Sequence, residues 1–264
     1  MPAPALKLAL AQADGDLEEI AAQASFLSST SKIVAASGPL IAFVQPDGAL
    51  RALMADFRKN QIDDINLLYQ GLYVQILASY EVFVRRLIAE FVEAVGRQEK
   101  TFAALERRSG FVDRHIYHTG VALQQVFENR TNVALDFSSL AKNLASVSAA
   151  SDVIVLNSVA FTLQLSSLSS EGLVKGLRRI GVDQEAIWDD LAKEKLFQDF
   201  FGSKKTRDVA KRIQTALNEM VKRRNHIVHK GDAIQAISEA DIREAVSFFK
   251  ALHLGLALAV SASL

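Results

Sequence analysis

Two side chains five positions apart, Arg224 and His229, in the segment Arg223-Arg224-Asn225-His226-Ile227-Val228-His229, are the best placed for chemistry in this chain. An arginine keeps its charge at any physiological pH and offers forked donors to an anion, while a histidine takes up and releases a proton near neutrality. The chain has no cysteine, which excludes a thiol nucleophile, thiolate zinc sites and structural disulfides. Two histidine pairs, His115 with His118 and His226 with His229, have the spacing that sets two imidazoles on one helical face. Without a thiolate, a His-Glu-x-x-His or a Glu-x-x-His pattern the ligand set is thin, so neither a metal nor a cofactor is expected.

What Arg224 can do depends on the helix that carries it. Ile213, Leu217, Met220, Ile227 and Val228 recur at the three-and-four spacing of one apolar helical stripe. At 100° per residue Arg224 falls about 20° from Ile213, between Leu217 at about 40° and Met220 at about −20°, in the middle of that stripe. A guanidinium there is costly unless it pairs with a core carboxylate or lines a cleft, and both arrangements stay open. His229 lies about 140° around the helix from Arg224, so the two approach only if the helix ends or loosens there. Gly231, two residues on, supplies the expected end. The dipole at a helix C-terminus favours the charged imidazolium, which suits a proton donor better than a base. Asn225 either caps the free carbonyls of that end or orients a ligand.

The most regular element is predicted over Ile62–Arg97, where Leu68, Leu72, Ile76, Tyr80, Val84, Leu87, Phe91 and Val95 share one face. Asp63 or Asp64 stands near its expected start and Gly96 near its end. Glu81 on this helix has an i,i+4 partner in Arg85, and Tyr69, Tyr73 and Tyr80 fall at core spacing. All four prolines lie in the first fifth of the chain, and Pro39 and Pro46, with Gly38 and Gly48, follow a first helical segment near Asp16–Ala36. Residues 1–48 are therefore read as an appendage and 49–264 as the main domain. From Glu171 onward four helical stretches follow, three closed by Gly181, Gly202 and Gly231 and the last opened by a Ser238-Glu239-Ala240-Asp241 cap. Between about 100 and 170 the runs NVALDFSSL and DVIVLNSVAFTLQL mix β-branched residues with Ser and Asn, and short strands are allowed in this insert. The fold class is all-α, a bundle of long antiparallel helices with an insert.

Thirty basic residues balance thirty acidic ones, so net charge selects no partner. From Lys195 to Lys230, however, ten basic residues face only three acidic ones, a footprint for a polyanion or simply a solvated helix face. The N-terminal stretch lacks the basic region of a signal peptide. The apolar run Ala251–Leu264 is shorter than the roughly 20 residues of a membrane helix. A cytoplasmic, soluble protein with no membrane contact is expected.

The segment Arg224–His229 resembles the signature of the HEPN family: an arginine, a polar residue, a short spacer and a histidine near a helix end in an all-α bundle. The helix around Glu81, SYEVFVRRLIAEF, resembles the family's earlier core helix, in which an acidic or polar residue often faces the motif. The resemblance covers the helices from 61 to 97 and from 171 to 260, and the insert most resembles extended members tied to toxin and antiviral systems. It implies a metal-independent endoribonuclease that cleaves RNA by attack of a ribose 2′-OH, leaving 2′,3′-cyclic phosphate and 5′-OH ends. Arg224, His229, Asn225 and Glu81 would then be catalytic, and Lys222, Arg223, His226 and Lys230 would hold RNA. It further implies a homodimer with paired motifs across a cleft, and an antitoxin or regulatory protein as a further partner. The alternative within the family is a non-catalytic HEPN scaffold that binds RNA, nucleotide or a partner protein. An all-helical interaction protein, with Arg224 in a structural ion pair, would make no demand on His229.

Overall fold

The computed structural model describes residues 4–40, 48–128, 130, 135–151, 153–163, 165, 168–182, 184–230 and 236–264, with side chains at all of these except 4–5, 30–40, 48–64, 184–185 and 230. Among the described residues ten helices follow in chain order: α1 (Pro4–Leu40), α2 (Gly48–Gln98), α3 (Phe102–Arg107), α4 (Phe111–Phe127), α5 (Phe137–Ser146), α6 (Ser170–Arg178), α7 (Gln184–Lys193), α8 (Lys195–Phe201), α9 (Thr206–Lys230) and α10 (Glu239–Ala262), with one 3-10 turn at Ser158–Phe161 before α6. The all-α reading stands.

α2 is the axis of the molecule. The expected face is buried at Leu72, Ile76, Tyr80, Val84, Leu87, Phe91 and Val95, but Leu68 is exposed. A second seam at Tyr69, Tyr73, Leu77, Phe83, Ile88 and Val92 is buried too. A stripe this wide belongs to a helix covered on two sides, here by α1 and α10 on one and α9 on the other. The helix begins at Gly48, so Asp63 and Asp64 lie in its interior and not at its start. The break near Pro46 lies outside the described residues.

α1 packs on α2 and α10 through Leu6, Ala9, Ala13, Leu17, Ile20 and Ala24, spaced by three and four, and it runs to Leu40, past Pro39. Its small residues let the backbones come close, and most of the seam joins the main core of the later helices. α10 opens with the expected capping box: Ser238 Oγ accepts from Asp241 N at 3.2 Å, and Asp241 Oδ2 accepts from Ser238 N at 2.8 Å. Among the described residues this 24-residue helix is long and apolar enough to cross a membrane, longer than the run read from sequence. Its face is spent inside the fold: Phe248, Phe249, Leu252, Leu256 and Val260 are buried against the main cluster.

The insert corrects one expectation. Among its described residues there is no strand. The β-branched stretch around 153–163 is irregular because its polar groups find side-chain partners instead of a ladder. Buried Asn157 donates its N–H to His115 Nε2 at 3.0 Å, and its Nδ2 donates to Thr119 Oγ1 at 3.2 Å and to the Leu140 carbonyl at 3.1 Å. Its Oδ1 accepts from Asn143 at 2.9 Å. One side chain thereby ties α4, α5 and the 3-10 turn over a small satellite core of Ala122, Leu140, Ala160 and Leu163.

Candidate functional site

The site starts from the contact between α2 and α9. α9 carries Ile213 and Leu217 fully buried and Val221 nearly so, with Met220 and Ile227 packed against the same core. Arg224 lies on this stripe, and its Nη2 donates to Glu81 Oε1 of α2 in a short ion pair. The side chains are 22% and 29% exposed, so the pair stands at the open edge of the core and not in its depth. Arg224 Nε is buried without a hydrogen-bond partner among the described residues. Of the two arrangements open for Arg224, the core carboxylate is present, at a place that solvent and a ligand still reach.

Glu81 does not pair with Arg85 along its own helix. Arg85 turns instead to the chain between the 3-10 turn and α6, donating to the Thr162 carbonyl at 2.9 Å and the Leu165 carbonyl at 2.5 Å. That frees Glu81 for Arg224, 143 residues away in the chain.

His229 does not join this pair within one copy of the chain. α9 is continuous through Lys230, so the expected loosening before His229 does not occur. No Gly or Pro interrupts it, and Ile227 holds its last turn to the core. His229 is exposed, and the helical period sets it about 140° around from Arg224. Gly231, the expected stop, lies outside the described residues, as does the side chain of Lys230. Asn225 is half-buried, and Lys222 and His226 are exposed.

Arg223, read as an RNA contact, is committed inside the fold. Its Nη1 donates to Asp241 at 2.7 Å, its Nη2 to the Ala236 carbonyl at 3.1 Å, and the guanidinium lies 5.4 Å from the centre of the Tyr73 ring. Burial pushes Asp241 up, but hydrogen bonds from Ser238 and Arg223 outweigh it and hold the carboxyl below its usual range. Burial raises the Tyr73 phenol to about 12 against the opposing charge of Arg223. Tyr73, Arg223 and Asp241, with His226, Lys222 and Met220, line an open cleft of about 520 Å³ between α2, α9 and α10.

The other histidine pair, His115 and His118, is engaged in the packing of the insert. Accepting at Nε2 requires a neutral His115 ring with its proton on Nδ1, and burial lowers this histidine to about 4. His118 is also lowered to about 4, by burial first and then by the charges of Arg179 and Arg114. Among the described residues no group of three or more His, Asp or Glu is placed to hold a metal ion. The grip of Arg85 and Arg179 on the turn at 161–165 was missed from sequence, because a bond from a guanidinium to a distant carbonyl leaves no spacing to read.

A family model described as RiboL-PSP-HEPN matches residues 50–256, most of the chain and all of α9. No curated protein and no solved structure matches the chain.

Proposed function

Since the chain belongs to the RiboL-PSP-HEPN family, we propose that it is a metal-independent endoribonuclease acting as a homodimer, with a site completed by Arg224 and His229 of both copies. Membership of the family is compatible with RNA cleavage. The observation that carries the reading is Arg224, held at the open edge of the α2–α9 seam by Glu81 when burial or solvent would each be simpler. Because Arg224 and His229 point to different sides of one straight helix, a second copy is what brings an imidazole across to an Arg224. Val228, one turn past Arg224 and half exposed, offers apolar surface beside the site for such a contact.

In this mechanism a neutral His229 takes the proton from a ribose 2′-OH, and that oxygen bonds to the adjacent phosphorus. The bond from phosphorus to the 5′ oxygen breaks as the second His229 gives that oxygen a proton, leaving 2′,3′-cyclic phosphate and 5′-OH ends. Arg224 cannot serve as an acid; its remaining donors stabilise the charge that builds on the phosphoryl oxygens. Glu81 sets the plane of the guanidinium. Asn225 orients the phosphate, and Lys222, His226 and Lys230 hold the flanking backbone. A role as a toxin or antiviral effector, restrained by an antitoxin or regulatory protein in the cytoplasm, belongs to the same proposal.

The first test incubates the protein in EDTA with a mixed-sequence RNA and maps the product ends for wild type and His229→Ala. Cyclic-phosphate ends from wild type alone are the expected result, and cutting by both would remove His229 from the mechanism. The Arg224–Glu81 pair also favours a second reading, a non-catalytic scaffold in which that pair is a strut between helices. Absence of cutting by either protein, in the presence of RNA binding, would select it.

A further inference from the structure

A second cationic cluster lies one turn along α2 from Glu81, where the insert meets the main core. Arg85 is four residues after Glu81, so the helical rise separates the two positions by about 6 Å along the axis. Around the chain at 161–165 it meets Arg179, whose Nη1 donates to the Phe161 carbonyl at 3.0 Å and to the Leu163 carbonyl. Arg114 approaches from α4. Its guanidinium lies against Gly181, where a side chain would come within 2.6 Å of Nη2, and its Nε is buried without a partner among the described residues. Burial pulls both Arg114 and Arg179 below the usual guanidinium range, and Arg85 adds to the effect on Arg179.

The bonds of Arg85 and Arg114 run to backbone carbonyls, from Arg85 to Thr162 and Leu165 and from Arg114 to Ser109 at 2.8 Å. Carbonyls satisfy donors without cancelling charge. The positive charge of Arg85 and Arg114 therefore persists at a half-exposed surface, and no salt bridge joins either to a described carboxylate. Beside them Tyr117 is 66% exposed, its ring 5.1 Å from His118 and edge-on to it, while His118 is held in turn by Phe161 at 5.1 Å. An aromatic ring propped on a second ring and flanked by guanidinium groups is the combination that grips single-stranded nucleic acid, the ring stacking a base and the cations holding phosphates.

We propose that the insert carries a binding site for the phosphodiester backbone of single-stranded RNA, with Arg85 and Arg114 on phosphates and Tyr117 stacked on a base, leading along α2 to the Arg224–Glu81 pair. It rests on the reading of the chain as an RNA-cleaving protein, naming where the strand runs beyond the scissile bond.

The test measures binding of a mixed-sequence, ten-nucleotide 2′-O-methyl RNA to the full chain by fluorescence anisotropy over a range of salt. The methyl group blocks internal attack, so binding is read apart from cleavage. Tyr117→Ala removes an exposed ring and leaves the fold intact; it should weaken binding roughly tenfold with little change in salt dependence. Arg114→Gln should weaken binding and reduce the slope of log affinity against log salt by about one phosphate contact. Thermal melts of both variants establish that the fold is retained. No RNA binding by wild type, or unchanged binding by folded Tyr117→Ala and Arg114→Gln, overturns the proposal and leaves the cluster as a clamp on the turn. Weakened binding in a protein that never cuts unmodified RNA upholds this site and sinks the nuclease reading; full cleavage with unchanged binding does the reverse.

Discussion

Arg224 meets two demands on one guanidinium. Its place on the buried stripe of α9 requires a counter-charge, which Glu81 supplies, while a role on a transition state requires that the same charge reach solvent. At 22% and 29% exposure the pair lies between the surface case, worth about 0–1 kcal/mol, and the fully buried case, where losing one partner costs about 3–5 kcal/mol. Glu81→Gln should therefore destabilise the fold by about 1–2 kcal/mol, and a double-mutant cycle with Arg224→Gln should return a coupling of similar size. A coupling near zero in denaturant melts would show that the pair does not hold α2 to α9. His229→Ala is the contrasting substitution: the side chain is exposed, so stability should change by less than about 0.5 kcal/mol while cleavage is lost. The angular position of Arg224 was legible from the three-and-four spacing of its neighbours. Its partner was not derivable from spacing, because Arg85 stands one turn from Glu81 and is the nearer candidate until the carbonyls of the 161–165 turn claim it.

Helices whose identity rests on period were readable in advance, and segments held by single polar side chains were not. The α2 face and the α10 capping box follow from repeats and a four-residue motif, and both are present. Tyr69 and Tyr73 were readable at core spacing, but the full width of the α2 stripe was hidden, because Leu77, Phe83, Ile88 and Val92 match a second seam only when helices cover both sides. The insert failed for a different reason: its β-branched residues suggest strands, whereas four hydrogen bonds at Asn157 hold its backbone in place. Asn157→Ala would remove bonds to buried Thr119 and Leu140 and to half-buried Asn143, at about 1–3 kcal/mol for such losses. Hydrogen exchange should speed up in α4 and α5 while the α2–α9 seam keeps its protection. If protection fell equally in α9, the insert would be part of one cooperative unit with the main core, against its separate satellite cluster.

Across the whole molecule, three of the five histidines share one electrostatic fate. Burial holds His253 at about 3 and His115 and His118 at about 4, all below the 6.5 of an exposed imidazole. His253 is the extreme case: its ring lies 4.1 Å from that of Phe83 with neither nitrogen hydrogen-bonded among the described residues, and Asp14 Oδ1, at 3.9 Å, does not offset the loss of water. The Lys250–Glu18 ion pair bridges α10 and α1 nearby, and burial pushes the Asp14 carboxyl up against the opposing charge of Lys250. The sign of the pH dependence follows. Below pH 6.5 the unfolded chain binds protons that the folded chain refuses, so stability, full above that value, falls as pH drops towards 4 and then 3. Each histidine contributes at most about 1.4 kcal/mol per pH unit, and His118, only half-buried, contributes less. Urea melts at pH 7, 6, 5 and 4.5 should show a steepening loss, and His253→Leu should flatten that curve by roughly the share of one histidine. An unchanged slope in His253→Leu would mean that α1 separates from α10 before the ring is protonated, making the α1 seam and not the buried imidazole the first part of the molecule to yield to acid.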